Sequence, residues 1–175
     1  MNSKTKIYRM VLAAMFLALA LLLPFLTGQI REIGNKLCPM HIPVLLCGFF
    51  CGPLYGLAVG LIAPVLRFFL FGMPQILPSG LAMSFELAGY GLTAGLLYRF
   101  LPQKKLSVYL SLIGAMLVGR VVWGAASFVI YGLRKTGFSW SAFLAGAFVN
   151  ALPGIILQLV LVPILVLTLE RRVKQ

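Results

Sequence analysis

Arg67, Glu86, Arg120 and Asn150 carry strong ionic or hydrogen-bonding chemistry, and each stands inside a stretch that is otherwise apolar. Arg67 and Glu86 fall within LRFFLFGMPQILPSGLAMSFELAGYG, residues 66–91. An arginine at the middle of a membrane helix costs about 3 kcal/mol, and each Leu, Ile, Val or Phe there returns roughly 0.3–0.6. Residues 107–132 hold eleven such apolar residues, together worth about 5 kcal/mol on that scale, so this helix inserts with Arg120 in place. Ionisable groups inside a membrane face a bundle interior or a water-filled cavity and mark solute paths. One reading is a helix-to-helix clamp in which Glu86 pairs with Arg67 or Arg120. Two arginines against one glutamate leave a positive charge over, however, and an anionic solute completes the set. Guanidinium suits a carboxylate or phosphate because it offers two parallel donors. Tyr90 follows Glu86 by four residues, while Trp123 and Ser127 follow Arg120 by three and seven, so each shares a helical face with its charge. Aromatic walls around a few convergent polar groups hold small organic solutes; packing in the core or at the lipid interface is the plainer use of Tyr90 and Trp123.

Other chemistry is poorly supplied. The chain has no Asp and one histidine, so neither a Ser/His/Asp set nor an HExxH pair for hydrolysis can be assembled. No GxxxxGK[ST] occurs, which rules out ATP hydrolysis by the P-loop route within this chain. Cys38, Cys47, Cys51 and His41 match neither a disulfide framework nor a zinc pattern, and the thiols read as structural, with no metal site. The net charge of +12 does not point to nucleic acid, because the Lys and Arg residues stand at the ends of apolar stretches and read as topology signals.

The elements that position the polar set are membrane helices. The 175 residues are 61% hydrophobic and 10% charged, with mean hydropathy +1.03, more apolar than a soluble core can absorb. They form one integral membrane domain, 1–175. The first apolar run lacks a small-residue cleavage pattern and is expected to be a retained helix, not a signal peptide. Spans are predicted at about 7–26, 40–54, 56–71, 79–98, 107–132 and 142–169, with Pro153 and Pro163 as kinks in the last. Segment 40–71 is divided in two by CGPLYG at 51–56, where Gly52, Pro53 and Gly56 interrupt a helix. With six spans, Lys4, Lys6, Arg9, Arg99, Lys104, Lys105, Arg171, Arg172 and Lys174 share one side against Arg31, Lys36, Arg134 and Lys135 on the other, nine against four. Five spans give five against eight, so the positive-inside rule selects an all-α bundle of six transmembrane helices with both termini cytoplasmic. In that layout Arg67, Glu86, Arg120 and Asn150 all fall in the outer half. Gly48, Gly52, Gly56 and Gly60 recur every fourth residue, as do Gly91 and Gly95, and predict close helix contacts. Ala142, Gly146, Asn150, Gly154 and Gln158 form a similar row that should face protein. Loop 71–80, FGMPQILPSG, is turn-rich and lies over the outer half, where it could act as a lid.

AMFLA at Ala14–Ala18, MHIPVLLCGFFCGPLYGLAVG at 40–60, the loop at 71–80 and the six-span layout together give a chain that resembles the substrate-binding S components of energy-coupling factor (ECF) vitamin transporters, over nearly its whole length. The resemblance implies a six-helix bundle in the cell membrane. It would capture a vitamin or similar micronutrient from outside and work with a transmembrane coupling subunit and two cytoplasmic ATPase subunits, ATP being hydrolysed by those partners and no cofactor held by this chain. It assigns Ala14 and Ala18 to the contact with the coupling subunit, their spacing putting two small side chains on one helical face; packing within the chain is the alternative. It also places the pocket in the outer half. Substrate contacts are then expected from Arg67 and Arg120 to an anion, from Glu86 to an arginine and a substrate hydroxyl or amine, from Asn150 by hydrogen bonding, and from Trp123 and Tyr90 by packing. One surplus positive charge suits a monocarboxylate, with pantothenate the best match and folate-like and other heterocyclic vitamins close behind. The competing function is a stand-alone carrier in which Glu86 titrates to couple entry of an organic anion to protons; it would be expected to show internal repeats, and none is evident. A membrane-embedded enzyme lacks its nucleophile and metal sets.

Overall fold

A computed structural model describes residues 3–27, 37–102, 104–133, 139–149 and 151–173. Asn150 and the cations Arg31, Lys36, Arg134, Lys135 and Lys174 lie outside them. Among the described residues the chain is all helical, without a strand: α1 (Ser3–Leu22), α2 (His41–Cys51), α3 (Pro53–Phe71), α4 (Leu81–Phe100), α5 (Lys105–Leu133), α6 (Trp140–Leu144) and α7 (Leu152–Val173). A short 3-10 turn, Leu23–Thr27, continues α1.

Polarity is arranged inside out. His41, Arg67, Ser84, Glu86, Ser111, Arg120, Ser127 and Gln158 are buried, whereas Ile7, Met15, Leu19, Phe69, Leu117, Val121, Phe128 and Ile164 are exposed. Water would penalise that surface, and lipid does not. Thr5–Phe25, Pro53–Phe71, Lys105–Leu133 and Leu152–Leu169 are long and apolar enough to cross a bilayer. α4 has 20 residues, but Ser84, Glu86, Tyr90 and Arg99 dilute its hydropathy. α2 has only 11 residues.

The helix breaks follow from local chemistry. α2 ends where Gly52 takes φ +101°, a conformation that side chains with a Cβ resist, and Pro53 opens α3 at a position needing no intrahelical N–H donor. Gly52 was expected to join the row of packing glycines; instead no neighbour lies within 4 Å of where its Cβ would be, and its role is conformational. α3 closes on Gly72 at φ +73°, its N–H donating to the Phe68 carbonyl at 2.7 Å. The following loop contains cis peptides before Pro74 and Pro78, and it is tied off where the Gly80 N–H donates to Gln75 O at 2.7 Å. The segment predicted as one span at 142–169 is divided into α6, a π turn at Ala145–Val149 and α7. Pro153 therefore lies in the first turn of α7, where its missing N–H leaves no helical bond unmade, and does not kink a helix interior as predicted; Pro163 is inside α7.

α4 is the central helix, packed against α2, α3 and α5; α1 covers α2 and α3, and α7 reaches α2 and α5. Glycine sets the closest crossing. A Cβ on Gly56 would stand 2.6 Å from the Gly91 carbonyl oxygen, so α3 and α4 meet backbone to backbone. On α1, Ala13, Phe16 and Ala20 turn inward, and Ala14 and Ala18 turn outward and are exposed.

Candidate functional site

The short α2 begins deep in the protein, because ten of its eleven residues are buried, His41 among them at 2% exposure. Ahead of it, Cys38 adopts φ +48°, unusual for a residue with a side chain, and its carbonyl accepts the His41 N–H at 3.1 Å. This turn delivers both side chains to the face of α4 that carries Glu86 and Tyr90.

Glu86 joins three helices. Its Oε1 lies 2.9 Å from Arg120 Nη1 of α5 and 3.5 Å from His41 Nε2 of α2. The His41 ring stands edge-on to Tyr90, with centroids 5.0 Å apart at 86°. Tyr90 in turn fits against Gly119, where a Cβ would come within 2.5 Å of the ring. The Cys38 thiol lies beside Arg120 and Glu86. Several polar atoms here are buried without a well-formed hydrogen bond, namely Arg120 Nε and Nη2, both His41 ring nitrogens and the Tyr90 hydroxyl, although Arg120 faces both the Cys38 thiol and the Tyr90 hydroxyl. Buried donors left in that state each cost about 1–3 kcal/mol, and groups of this kind mark places where a ligand or water completes the structure.

Arg67 belongs to a different place. Its Nη1 donates to the Leu21 carbonyl in the last turn of α1, and its guanidinium lies over the rings of Phe25 and Phe71, 5.2 and 5.4 Å from their centroids. The two rings meet edge to face at 4.9 Å. Arg67 therefore fastens the end of α1 to the end of α3, while the Glu86 ion pair goes to Arg120. Trp123, one turn beyond Arg120, stacks on Phe143 of α6, with centroids 6.2 Å apart at 27°. Ser127 is buried one turn further.

Of the residues singled out from the sequence, Glu86, Tyr90 and Arg120 converge, Trp123 forms an adjoining wall, Arg67 lies at the α1 end, and Asn150 is outside the described residues. Cys38 and His41 were set aside in the sequence because one histidine and three thiols make no motif; the structure places both at the cluster. Gln158 of α7 is fully buried with both amide atoms unpartnered, and its place in the small-residue row was the signal for that burial. Among the described residues no three His, Cys, Asp or Glu side chains gather closely enough to hold a metal ion.

Comparison with known families finds one match, to the ECF transporter, substrate-specific component, over residues 8–166. No curated protein and no solved structure matches the chain.

Proposed function

The chain belongs to the ECF transporter substrate-specific component family, a family of membrane transport proteins, and from that premise we propose that it captures a vitamin or related micronutrient outside the cell and hands it to an ATP-driven import complex. In this reading the chain sits in the cell membrane as six spans with both termini cytoplasmic. It joins a transmembrane coupling subunit and two ATPase subunits, which hydrolyse the ATP; no cofactor is held here. Ala14 and Ala18, small and outward-facing on α1, suit close approach by a partner helix.

The observation that carries the reading is the Cys38–His41–Glu86–Arg120 cluster, polar and incompletely hydrogen-bonded, inside a protein whose outer surface is apolar. Such groups are costly in a membrane and are retained where they serve a solute. Arg120, Glu86 and Tyr90 form its centre, with Trp123 as an aromatic wall and Arg67 and Asn150 as outer contacts. Glu86 balances Arg120 within the cluster, and Arg67 adds a further cation toward the α1 end; the proposed substrate is a small organic anion, with pantothenate the best match.

The test is reconstitution. The purified chain alone should bind its solute without transporting it, and vesicles containing the chain with coupling and ATPase subunits should accumulate the solute when ATP is supplied. Accumulation by the chain alone, driven by a proton gradient, would instead identify a secondary carrier.

A further inference from the structure

Gln158 is seated where an amide is costly. It is fully buried on the face of α7 that also turns Gly154, Val162 and Val166 inward, and neither amide atom has a hydrogen-bond partner. An amide held that way weakens the packing that encloses it, because its donor and acceptor leave water without an exchange of bonds. The helix around it is interrupted on both sides. A π turn at Ala145–Val149 separates α7 from α6, and Pro163 within α7 supplies no N–H to the Leu159 carbonyl. Helices bend at breaks of these two kinds. Among the described residues α7 is also the most sparsely packed of the long helices, lying against α2 and α5, and low contact density goes with low local stability.

We propose that the first half of α7, residues 152–161, is a hinged segment that swings from its seat on α2 and α5 between the π turn and Pro163, and that Gln158 keeps the closed seating reversible. The movement would open a way to the polar cluster. Gly146 of the π turn lies against the Trp123 ring, which would come within 2.6 Å of a Cβ there, and Trp123 is one helical turn from Arg120. In the closed seating the cluster is shut in, with Cys38 7% and Arg120 6% exposed. An apolar side chain of similar size at position 158 would remove the unpaired amide and hold the segment down. The swing itself does not depend on what the chain does; its use in admitting a solute rests on the reading of the chain as a substrate-binding subunit.

The experiment uses the full-length chain in lipid nanodiscs, without solute. Amide hydrogen exchange follows residues 152–161, and N-ethylmaleimide labelling of Cys38, assigned by peptide mass spectrometry, follows access to the cluster. In the parent, residues 152–161 should exchange faster than α4, and Cys38 should label slowly but measurably. Gln158→Leu should slow exchange across 152–161 about 10-fold or more and slow Cys38 labelling by a similar factor. A parent in which 152–161 is as protected as α4, or in which Cys38 stays unlabelled, overturns the proposal. Exchange that is unchanged or faster in Gln158→Leu overturns it too, since the amide would then be answered in the closed seating. Slowed exchange with unchanged Cys38 labelling does the same, because access would run by another route. Should Gln158→Leu fail to give monodisperse protein, Gln158→Met is read in its place by the same criteria. Assembly of the parent with the coupling and ATPase subunits is scored alongside; failure there sinks the subunit reading, while exchange and labelling still decide the hinge.

Discussion

Glu86→Leu removes the carboxylate that ties α4 to both α5 and α2. Two unit charges about 4 Å apart at an effective dielectric near 20 attract by about 4 kcal/mol. Removing one member of a buried pair typically costs about 3–5 kcal/mol, because the remaining charge is left uncompensated. Arg120 is 6% exposed, too enclosed for water to take over, so the single replacement should lower unfolding free energy by about 4 kcal/mol. Replacing Arg120 by Met in the same chain removes the stranded cation, and such paired apolar exchanges are often neutral or stabilising. The double variant should therefore recover to within about 1 kcal/mol of the parent, yet bind no solute. Unfolding in mixed micelles at rising denaturing-detergent fraction, followed by tryptophan fluorescence, measures the first quantity, and equilibrium binding the second. A single variant as stable as the parent, or a double variant no better than the single, would show that the pair is not what fastens α4 to α5. Parental affinity in a folded double variant would place the binding site elsewhere.

Four other perturbations separate packing, conformation and partner contact. Gly91→Val puts a side chain into the Gly56 backbone and should prevent recovery of monodisperse protein on size exclusion. Gly52→Ala meets no neighbour but keeps φ +101°, so its cost should be conformational, about 1–3 kcal/mol in the same unfolding assay. Ala14→Trp, on the outward face of α1, should block co-purification with the coupling subunit while solute affinity stays at the parental value. Arg67→Leu deprives the Leu21 carbonyl of its donor and the Phe25 and Phe71 rings of their cation; amide exchange across Leu23–Thr27 should speed up, and unchanged protection there would remove Arg67 as the tie.

Membrane character and helical class were legible because hydropathy and helix breakers act locally: an apolar run and a Gly-Pro stop mean the same thing whatever surrounds them. The partner of Glu86 was not legible, and the register shows why. Glu86 is five residues from the start of α4 and Arg67 four from the end of α3, across the intervening loop. It is also 14 residues from the end of α4, with Arg120 15 residues into α5, across the turn between those helices. Both arginines thus stand level with Glu86 along antiparallel neighbours. Rotation about the helix axis decides between them, and that is set by what each helix packs against: α1 draws Arg67 toward Leu21. Periodicity gives relative faces within a helix but not the azimuth of one helix against another. His41 was missed for a related reason, since a lone histidine at the start of an apolar run carries no signal until the depth of that helix start is known.

That depth follows from the length of α2. Eleven residues rise about 16 Å, roughly half of a hydrocarbon core about 30 Å thick. Starting from the Gly52 reversal, the helix stops within the protein, and its amino end opens among buried side chains instead of reaching the opposite surface. A helix end in that position must have its first N–H groups answered from nearby; Cys38 provides a carbonyl from a left-handed turn, and no side chain caps the helix. The same end projects partial positive charge into the space where Glu86 sits. Glu86 is thereby met by a guanidinium from α5 and by His41 in the first turn of α2. A longer α2 would carry His41 toward the surface and away from Glu86.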